Sequence, residues 1–139
     1  MLFGGFLHNV DIKGRVFIPA RFRPVLGARF YVCANHDGCI RGYNEQGWAE
    51  FMEKLSRLTI EANQILRKIY GSTTELEMDQ QGRVLLPEEL RAHAKITDKT
   101  KIIGMGGWME FWNPETADSL KSALSDEEMM SHLASVGIR

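Results

Sequence analysis

Two aspartate–arginine pairs with the same spacing are the residues of this chain whose types could do chemistry. Asp11 precedes Arg15 by four residues, and Asp79 precedes Arg83 by the same distance. The guanidinium of an arginine can donate forked hydrogen bonds to a phosphate group or to the edge of a guanine. An exposed ion pair contributes at most about 1 kcal/mol to stability. Both a structural role and a nucleic-acid-binding role therefore stay open for the two arginines.

The two pairs occupy equivalent positions of an internal repeat. Residues 11–23 align without gaps on residues 79–91, and the Asp, Gly, Arg, Val, Pro and final Arg of this segment are identical in both. After a one-residue shift the match resumes, with residues 38–44 on residues 107–113. This self-similarity predicts a tandem duplication.

The same succession of elements is predicted in each copy. An alternating strand leads into a turn, in which the aspartate accepts backbone amides and a glycine (Gly14 or Gly82) supplies a positive φ. An apolar strand returns, a short helix starts at a proline, and a second hairpin closes the copy. Pro24 lies inside the first short helix and should shorten or distort it.

Longer helices follow each copy. Asn44 and Asn113 are expected to cap two of them, and Ser125 opens the last one with a capping box. Another helix is predicted from Thr59 to Tyr70, ending at Gly71. The apolar stripes of the last two helices should pack on the chain's own module or on a neighbouring subunit.

A single copy of about 45 residues buries too little apolar surface to be stable alone, and it leaves strand edges open. We therefore expect an α+β fold with a mainly β core, in which both copies form one pseudo-symmetric β-barrel module with helix pairs at its periphery. The predicted divisions are residues 5–47 and 73–116 for the two repeats, residues 48–72 for a helical linker and residues 117–139 for C-terminal helices.

The net charge of −1 hides a strong asymmetry along the chain. Residues 1–70 carry ten basic and six acidic side chains, a net charge of +4, whereas residues 71–139 carry seven and twelve, a net charge of −5. Five bases and no acid lie between Ile12 and Arg29. This distribution predicts a basic face in the first half.

Two pseudo-symmetric β-ribbons that bind double-stranded DNA, one in each copy, fit these features, because a two-stranded ribbon fits the major groove and two of them could read adjacent stretches. Lys13 makes the first turn more attractive to phosphate than the second, where Gln81 stands. Arg21 and Arg23 lie on the short helix beyond the ribbon, where a solvated face is an equally good interpretation. The candidate DNA-binding residues are Lys13, Arg15, Gln81, Arg83, Arg21 and Arg23, and the structural residues of the motif are Asp11, Gly14, Asp79 and Gly82.

Catalysis and metal binding are both disfavoured. Asp11 and Asp79 could share a proton across a pseudo-dyad, but an arginine four residues on would keep each of them ionised. Cys33, His36 and Cys39 offer three ligands where a closed zinc site needs four. We therefore expect no enzyme activity, no metal and no cofactor.

The motif Met1-x-x-Gly4…His8-x-x-Asp11-x-Lys13-Gly14-Arg15…Pro19…Arg23, repeated as Asp79-x-x-Gly82-Arg83…Pro87…Arg91, resembles the MraZ family of bacterial transcriptional regulators over nearly the whole chain. The resemblance implies two AbrB-type swapped-hairpin repeats and a homo-oligomeric ring. It also implies binding to short direct repeats upstream of the division and cell-wall gene cluster, usually as a repressor. AbrB-like folds also occur in antitoxins, so a protein-binding module is the alternative, although this chain shows no long disordered tail.

No apolar run approaches the roughly 20 residues needed to cross a bilayer, and residues 1–6 lack the pattern of a secretory signal. We expect a cytoplasmic, nucleoid-associated protein with no membrane partner and no small-molecule substrate.

Overall fold

The computed structural model describes the whole chain, Met1–Arg139, and has an α+β fold. Its strands are β1 (Leu2–Asn9), β2 (Arg15–Phe17), β3 (Arg29–Ala34), β4 (Ile40–Tyr43), β5 (Thr74–Glu77), β6 (Arg83–Leu85), β7 (Lys99–Gly106) and β8 (Met109–Trp112). Its helices are α1 (Arg23–Leu26), α2 (Glu45–Leu55), α3 (Asn63–Ser72), α4 (Glu88–His93), α5 (Pro114–Ala123) and α6 (Asp126–Ala134).

The strands of the two repeats are interleaved. Six of them form an antiparallel sheet in the order β1-β7-β8-β4-β3-β5, and β2 pairs with β6 in a separate two-stranded sheet. The first strand of each repeat thus pairs with the third strand of the other, β1 with β7 and β5 with β3. The prediction of two ribbons, one in each copy, is wrong, because β2 pairs with β6 of the other repeat and with its own copy only in the single bridge from Val10 to Val16. The expected barrel is not confirmed, because β1 and β5 end the hydrogen-bonded order and do not pair with each other.

A pseudo-twofold axis relates the repeats. At the centre of the two-stranded sheet, Val16 faces Val84, its counterpart in the other repeat. At the centre of the six-stranded sheet, Arg41 faces Glu110, which occupies the equivalent position one shift later. The axis therefore passes between identical residues in one sheet and between opposite charges in the other.

The main core lies between the inner face of the six-stranded sheet and the β2–β6 pair. Each repeat contributes side chains to it, several of them at equivalent positions, and fully burying one such side chain is worth about 1.5–3 kcal/mol. Buried core residues from the two repeats include Val16, Ile18, Phe22, Phe30 and Ile40 from the first and Val84, Leu86, Leu90, Ile102 and Phe111 from the second.

Buried Glu110 joins the repeats on the other face of the large sheet. Its carboxylate, in a residue only 6% exposed, accepts hydrogen bonds from Trp108 Nε1 at 3.0 Å and Trp112 Nε1 at 2.9 Å. Arg41 Nε lies 3.7 Å from Glu110 Oε2, and the Arg41 guanidinium lies 4.6 Å from the centroid of the Trp108 ring. Two indole donors and a cation compensate the cost of burying this charge.

The predicted helix signals are confirmed at three N-termini. Asn44 Oδ1 accepts a hydrogen bond from the Gly47 amide at 2.7 Å, and Asn113 Oδ1 accepts one from the Thr116 amide at 3.0 Å. Ser125 Oγ accepts one from the Glu128 amide at 3.1 Å. The distortion expected at Pro24 is also found, because a 3₁₀ turn over Ala20–Phe22 leads into an α1 of only four residues.

The predicted end of the second long helix, expected at Gly71, is wrong. This helix, α3, passes through Gly71 and ends at Ser72. The Ser72 hydroxyl donates to the Ile69 carbonyl at 3.0 Å and accepts from the Ala34 amide of β3 at 3.0 Å. This tertiary bond holds the last turn in place and overrides the weak helix preference of glycine.

The C-terminal helices lie outside the core. α5 contacts β7, but α6 has no buried residue. Large apolar side chains of this region are exposed, namely Leu120, Leu124, Met129, Met130, Val136 and Ile138. α6 was expected to pack either on the chain's own module or on a neighbouring subunit, and within one chain it does not pack on the module. None of the helices has the length and apolar character that crossing a bilayer would require.

Candidate nucleic-acid interface

The first Asp-x-x-Gly-Arg segment folds into a tight turn organised by its aspartate. Asp11 Oδ1 accepts the amides of Lys13 at 2.9 Å and Arg15 at 2.8 Å. Asp11 Oδ2 accepts Arg15 Nε at 2.7 Å. Gly14 closes the turn with a φ of +91°, a conformation that side chains with a Cβ rarely adopt.

The second turn reproduces the first almost atom for atom. Asp79 Oδ1 accepts the amides of Gln81 and Arg83, both at 2.9 Å, and Asp79 Oδ2 accepts Arg83 Nε at 2.8 Å. Gly82 has a φ of +84°. The duplicated sequence therefore encodes a duplicated geometry, with the same donor and acceptor at every position.

Both aspartates are held in the ionised form. The backbone amide of the arginine is the main cause that lowers the pKa of each carboxyl, Arg15 acting on Asp11 and Arg83 on Asp79. The two turns also precede antiparallel strands, so they lie at opposite ends of the β2–β6 pair. The two carboxylates are therefore not arranged to share a proton as a catalytic dyad does.

The outer face of the β2–β6 ribbon presents both arginines. Val16 and Val84 point into the core, at 1% and 2% exposure, so the alternate residues of each strand point outward. These are Arg15, Phe17, Arg83 and Leu85. Because Nε makes the bond to aspartate, the terminal Nη groups of both guanidiniums make no hydrogen bond within the chain. They are free to fork onto an acceptor outside it.

A cleft of about 350 Å³ runs beside this ribbon. Two arginines that are 68 positions apart in the sequence both line it, together with a lysine that is not among the predicted DNA-binding residues. Its lining residues are Leu7, His8, Asn9, Asp11, Arg15, Phe17, Arg83 and Lys99. Lys99 is exposed and forms no ion pair. The cleft therefore brings three side-chain cations to one place.

Following the repeat further would have identified Lys99 as a base at the start of a strand, but not its place in the cleft, which depends on the pairing of β1 with β7. Lys99 begins β7 and pairs with Asn9 of β1, just as Arg29 begins β3 and pairs with Glu77 of β5. Each repeat thus has a base at the start of its third strand. Burial, and next the Arg23 guanidinium, lower the pKa of His8, so this cleft residue is neutral at pH 7 and adds hydrogen bonding rather than charge.

The remaining candidates are distributed around the ribbon. Lys13 and Gln81 are exposed in the two turns. Arg21 is exposed on the 3₁₀ turn, 5.7 Å from the centroid of the Phe6 ring. Arg23 does not line the cleft, although its charge reaches His8. Its Nε donates to the Ile18 carbonyl at 2.9 Å, and its guanidinium covers Gly82. The structure thus brings Arg15 and Arg83 together but gives Arg23 contacts within the chain.

The cysteine–histidine segment does not converge as a group of three ligands. His36 is exposed, whereas Cys33 and Cys39 are buried. The side chains that do converge are Asp37, Cys39 and Glu110, whose ligand atoms lie within 4.8 Å of one another. Burial raises the pKa of the Cys33 thiol to about 11 and also raises that of Cys39. Both thiols are protonated at pH 7.

Comparison with known proteins places the chain in a family. The family model described as "MraZ protein, putative antitoxin-like" matches twice, at residues 1–68 and 69–135, which confirms the duplication. A protein of Limosilactobacillus reuteri (strain DSM 20016) is 40% identical over 91% of this chain and 91% of its own length. Relatives from Desulforamulus reducens, 41% identical over 85% of each chain, and Caldicellulosiruptor saccharolyticus, 36% identical over 99% of this chain and 100% of its own, are similar too.

All three relatives bear the name "Transcriptional regulator MraZ". The match covers both repeats and therefore includes both Asp-x-x-Gly-Arg turns and the ribbon between them. The chain belongs to the MraZ family.

Proposed function

We propose that this protein is a transcriptional regulator that binds double-stranded DNA through the outer face of the β2–β6 ribbon. The observation that carries the proposal is the pair of guanidiniums on that face, each oriented by an aspartate and each with unbonded Nη groups. Arginines oriented in this way can contact phosphates or guanine edges without first losing side-chain freedom. The names of the relatives support the regulatory role.

Lys13, Lys99 and Arg21 add positive charge around this face. Lys13 lies in the first turn and Lys99 in the adjoining cleft, so the cations are concentrated on the β1 side of the ribbon. Phosphate contacts of this kind supply affinity and fix register, whereas the arginines could read bases. The charge of +4 in the first half of the chain is consistent with this division.

The proposed target is a set of short direct repeats upstream of the division and cell-wall gene cluster, with repression as the usual outcome, and the proposed location is the cytoplasm, at the nucleoid. A single chain offers one ribbon, so we infer that copies assemble into a homo-oligomeric ring that engages several repeats at once. Two features support self-association. β1 is an eight-residue sheet edge with exposed Phe3 and Leu7, and α6 presents apolar side chains to solvent.

Fluorescence anisotropy on two duplexes of equal length tests the DNA proposal. One duplex carries the direct repeats and the other carries the same bases in scrambled order. We expect tighter binding to the repeats and a linear fall of log K with log salt, since neutralised phosphates release counterions. Equal affinity for the two duplexes would contradict sequence-specific binding, and affinity that does not change with salt would contradict the proposed phosphate contacts.

Sedimentation velocity on the free protein tests the ring. We expect a discrete species several times the 15.8 kDa mass of one chain. A monomer at all working concentrations would exclude ring assembly, while leaving the binding measurement to judge the ribbon on its own.

A further inference from the structure

The last arginine of each repeated motif reaches across to the other repeat. Arg23 lies over Gly82, and Arg91 lies over Gly14. A Cβ built on Gly14 would come within 2.8 Å of Arg91 Cζ, and one built on Gly82 would overlap the guanidinium of Arg23, with Nη1 at 2.6 Å. Both glycines are buried although each lies in a surface turn. The guanidiniums are what cover them.

Each of these arginines is held in place by a second contact. Arg23 Nε donates to the Ile18 carbonyl at 2.9 Å, and Arg91 Nε donates to the Leu86 carbonyl at 3.0 Å. These two bonds are related by the pseudo-twofold axis, as are the glycines the arginines cover. The same contact formed twice, by residues 68 positions apart, indicates that it is a property of the repeat rather than the chance position of a surface side chain.

The carbonyl that each arginine binds belongs to a residue whose own amide makes a backbone hydrogen bond to the other repeat. The Ile18 amide donates to the Gly82 carbonyl at 2.9 Å, and the Leu86 amide donates to the Gly14 carbonyl at 2.9 Å. Ile18 is therefore bound at both of its backbone groups: its carbonyl accepts from Arg23, and its amide donates to the Gly82 carbonyl. Each turn is held from outside its own repeat, by one backbone bond and one covering guanidinium.

We propose that Arg23 and Arg91 are positioning residues that orient the DNA-binding turn of the opposite repeat: Arg23 orients Asp79–Arg83 and Arg91 orients Asp11–Arg15. The proposal rests on the proposed function, since it assigns these two side chains a role in that same ribbon. It also makes the two turns depend on each other's repeats, because a change at the arginine of one repeat should alter the turn of the other.

Hydrogen exchange of the turn amides, measured by NMR without DNA, tests the contact directly. The amides of residues 81–83 and of residues 13–15 are all bonded to the aspartate of their own turn. In Arg23→Lys we expect exchange at 81–83 to rise about tenfold, which corresponds to about 1.4 kcal/mol, with little change at 13–15. In Arg91→Lys we expect exchange to rise by a similar factor at 13–15, with little change at 81–83. Arg21→Ala, which removes a neighbouring charge without touching Gly82, is the matched control and should change neither turn.

A double-mutant cycle on the repeat-bearing duplex tests the functional consequence. Effects of residues that act through one another are not additive, so Arg23→Lys should couple to Arg83→Ala and not to Arg15→Ala. If Arg23 instead contacts DNA itself, the effect of Arg23→Lys is additive with both, Arg23→Ala lowers the salt slope by about one, and the turn amides stay protected in Arg23→Lys. That result would overturn the proposal. If wild-type protein fails to bind the duplex, the proposed function fails, and the exchange experiment still judges the cross-repeat contact alone.

Discussion

The two repeats have the same turn geometry in different electrostatic surroundings. Corresponding hydrogen bonds of the Asp11 and Asp79 turns differ by no more than 0.1 Å. The first turn carries Lys13, whereas the second carries Gln81. The strand leading to the first turn has Leu7 and Asn9 where the strand leading to the second has Glu75 and Glu77.

This difference shows which constraints the duplication has kept. Backbone bonds that close the turn and join the repeats allow little variation, so they are the same in both copies. Charges on the outer surface cost little to change, and they have diverged. We therefore expect the first repeat to dominate electrostatic attraction to DNA, while both repeats contribute equally to the shape of the ribbon.

The largest effect is expected where the repeats meet with opposite charges. Glu110→Ala should destabilise the fold by about 3–5 kcal/mol, because it leaves a partly buried cation and two indole donors without their acceptor. Arg41→Ala should cost less, since its side chain is more exposed and the two indole bonds to Glu110 remain. Urea unfolding of both variants measures the difference. Equal losses would mean that the ion pair, rather than the buried carboxylate, controls this site.

The next effect concerns the two ribbon arginines. Arg15→Ala and Arg83→Ala should each weaken binding to the repeat-bearing duplex by about 1–3 kcal/mol per contact, with Arg15→Ala at the upper end because its turn is the more basic. Anisotropy titration at one fixed salt concentration compares them. Arg57→Ala, which breaks an exposed ion pair on the helical side of the molecule, is the charge-matched control. Unchanged affinity in both ribbon variants would refute the model.

A smaller effect should follow from exchanging the residues that distinguish the turns. Gln81→Lys should make the slope of log K against log salt steeper by about one per engaged ribbon, and Lys13→Gln should make it shallower by the same amount. The double variant should restore the wild-type slope if the two turns contact equivalent phosphates. A slope that stays shallow in the double variant would show that only the first turn reaches the backbone of the DNA.

The smallest effect is a pH-dependent difference in stability. The pKa of Asp79 is lowered in the fold, so the ionised carboxylate contributes to the free energy of unfolding. This contribution is present above the ordinary carboxyl pKa of about 3.9 and is lost as the pH falls through the lower native value. Asp79→Asn should therefore have a lower Tm than wild type near neutral pH, and the gap should close at low pH. Asp11→Asn should behave alike, since the two turns match. A gap that persists in acid would assign the effect to geometry rather than charge.

Local features of the fold were predictable because their causes are local. The turns, the proline-started helices and the caps at Asn44 and Asn113 depend on residues a few positions apart, and the structure has them as predicted. The helix end at Gly71 was wrong because Ser72 bonds to a strand 38 residues away.

Contacts between the repeats could not be inferred in the same way. Nothing in the spacing of Arg23 or Arg91 shows that each covers a glycine of the other copy, and Lys99 joins the cleft only through the pairing of β1 with β7. The open ends of the large sheet likewise depend on tertiary pairing, which the period of a single strand does not encode.

The Arg41–Glu110 pair also bears on the history of the chain. In a symmetric dimer of single repeats, the residue on the twofold axis faces its own copy, so arginine would face arginine or glutamate would face glutamate. Once these two positions had acquired opposite charges, neither half could return to self-pairing without placing like charges in contact. Separately expressed halves should therefore pair more readily with each other than each with a second copy of itself. The opposite charges at this one site make the two halves of the chain a matched pair rather than two interchangeable copies.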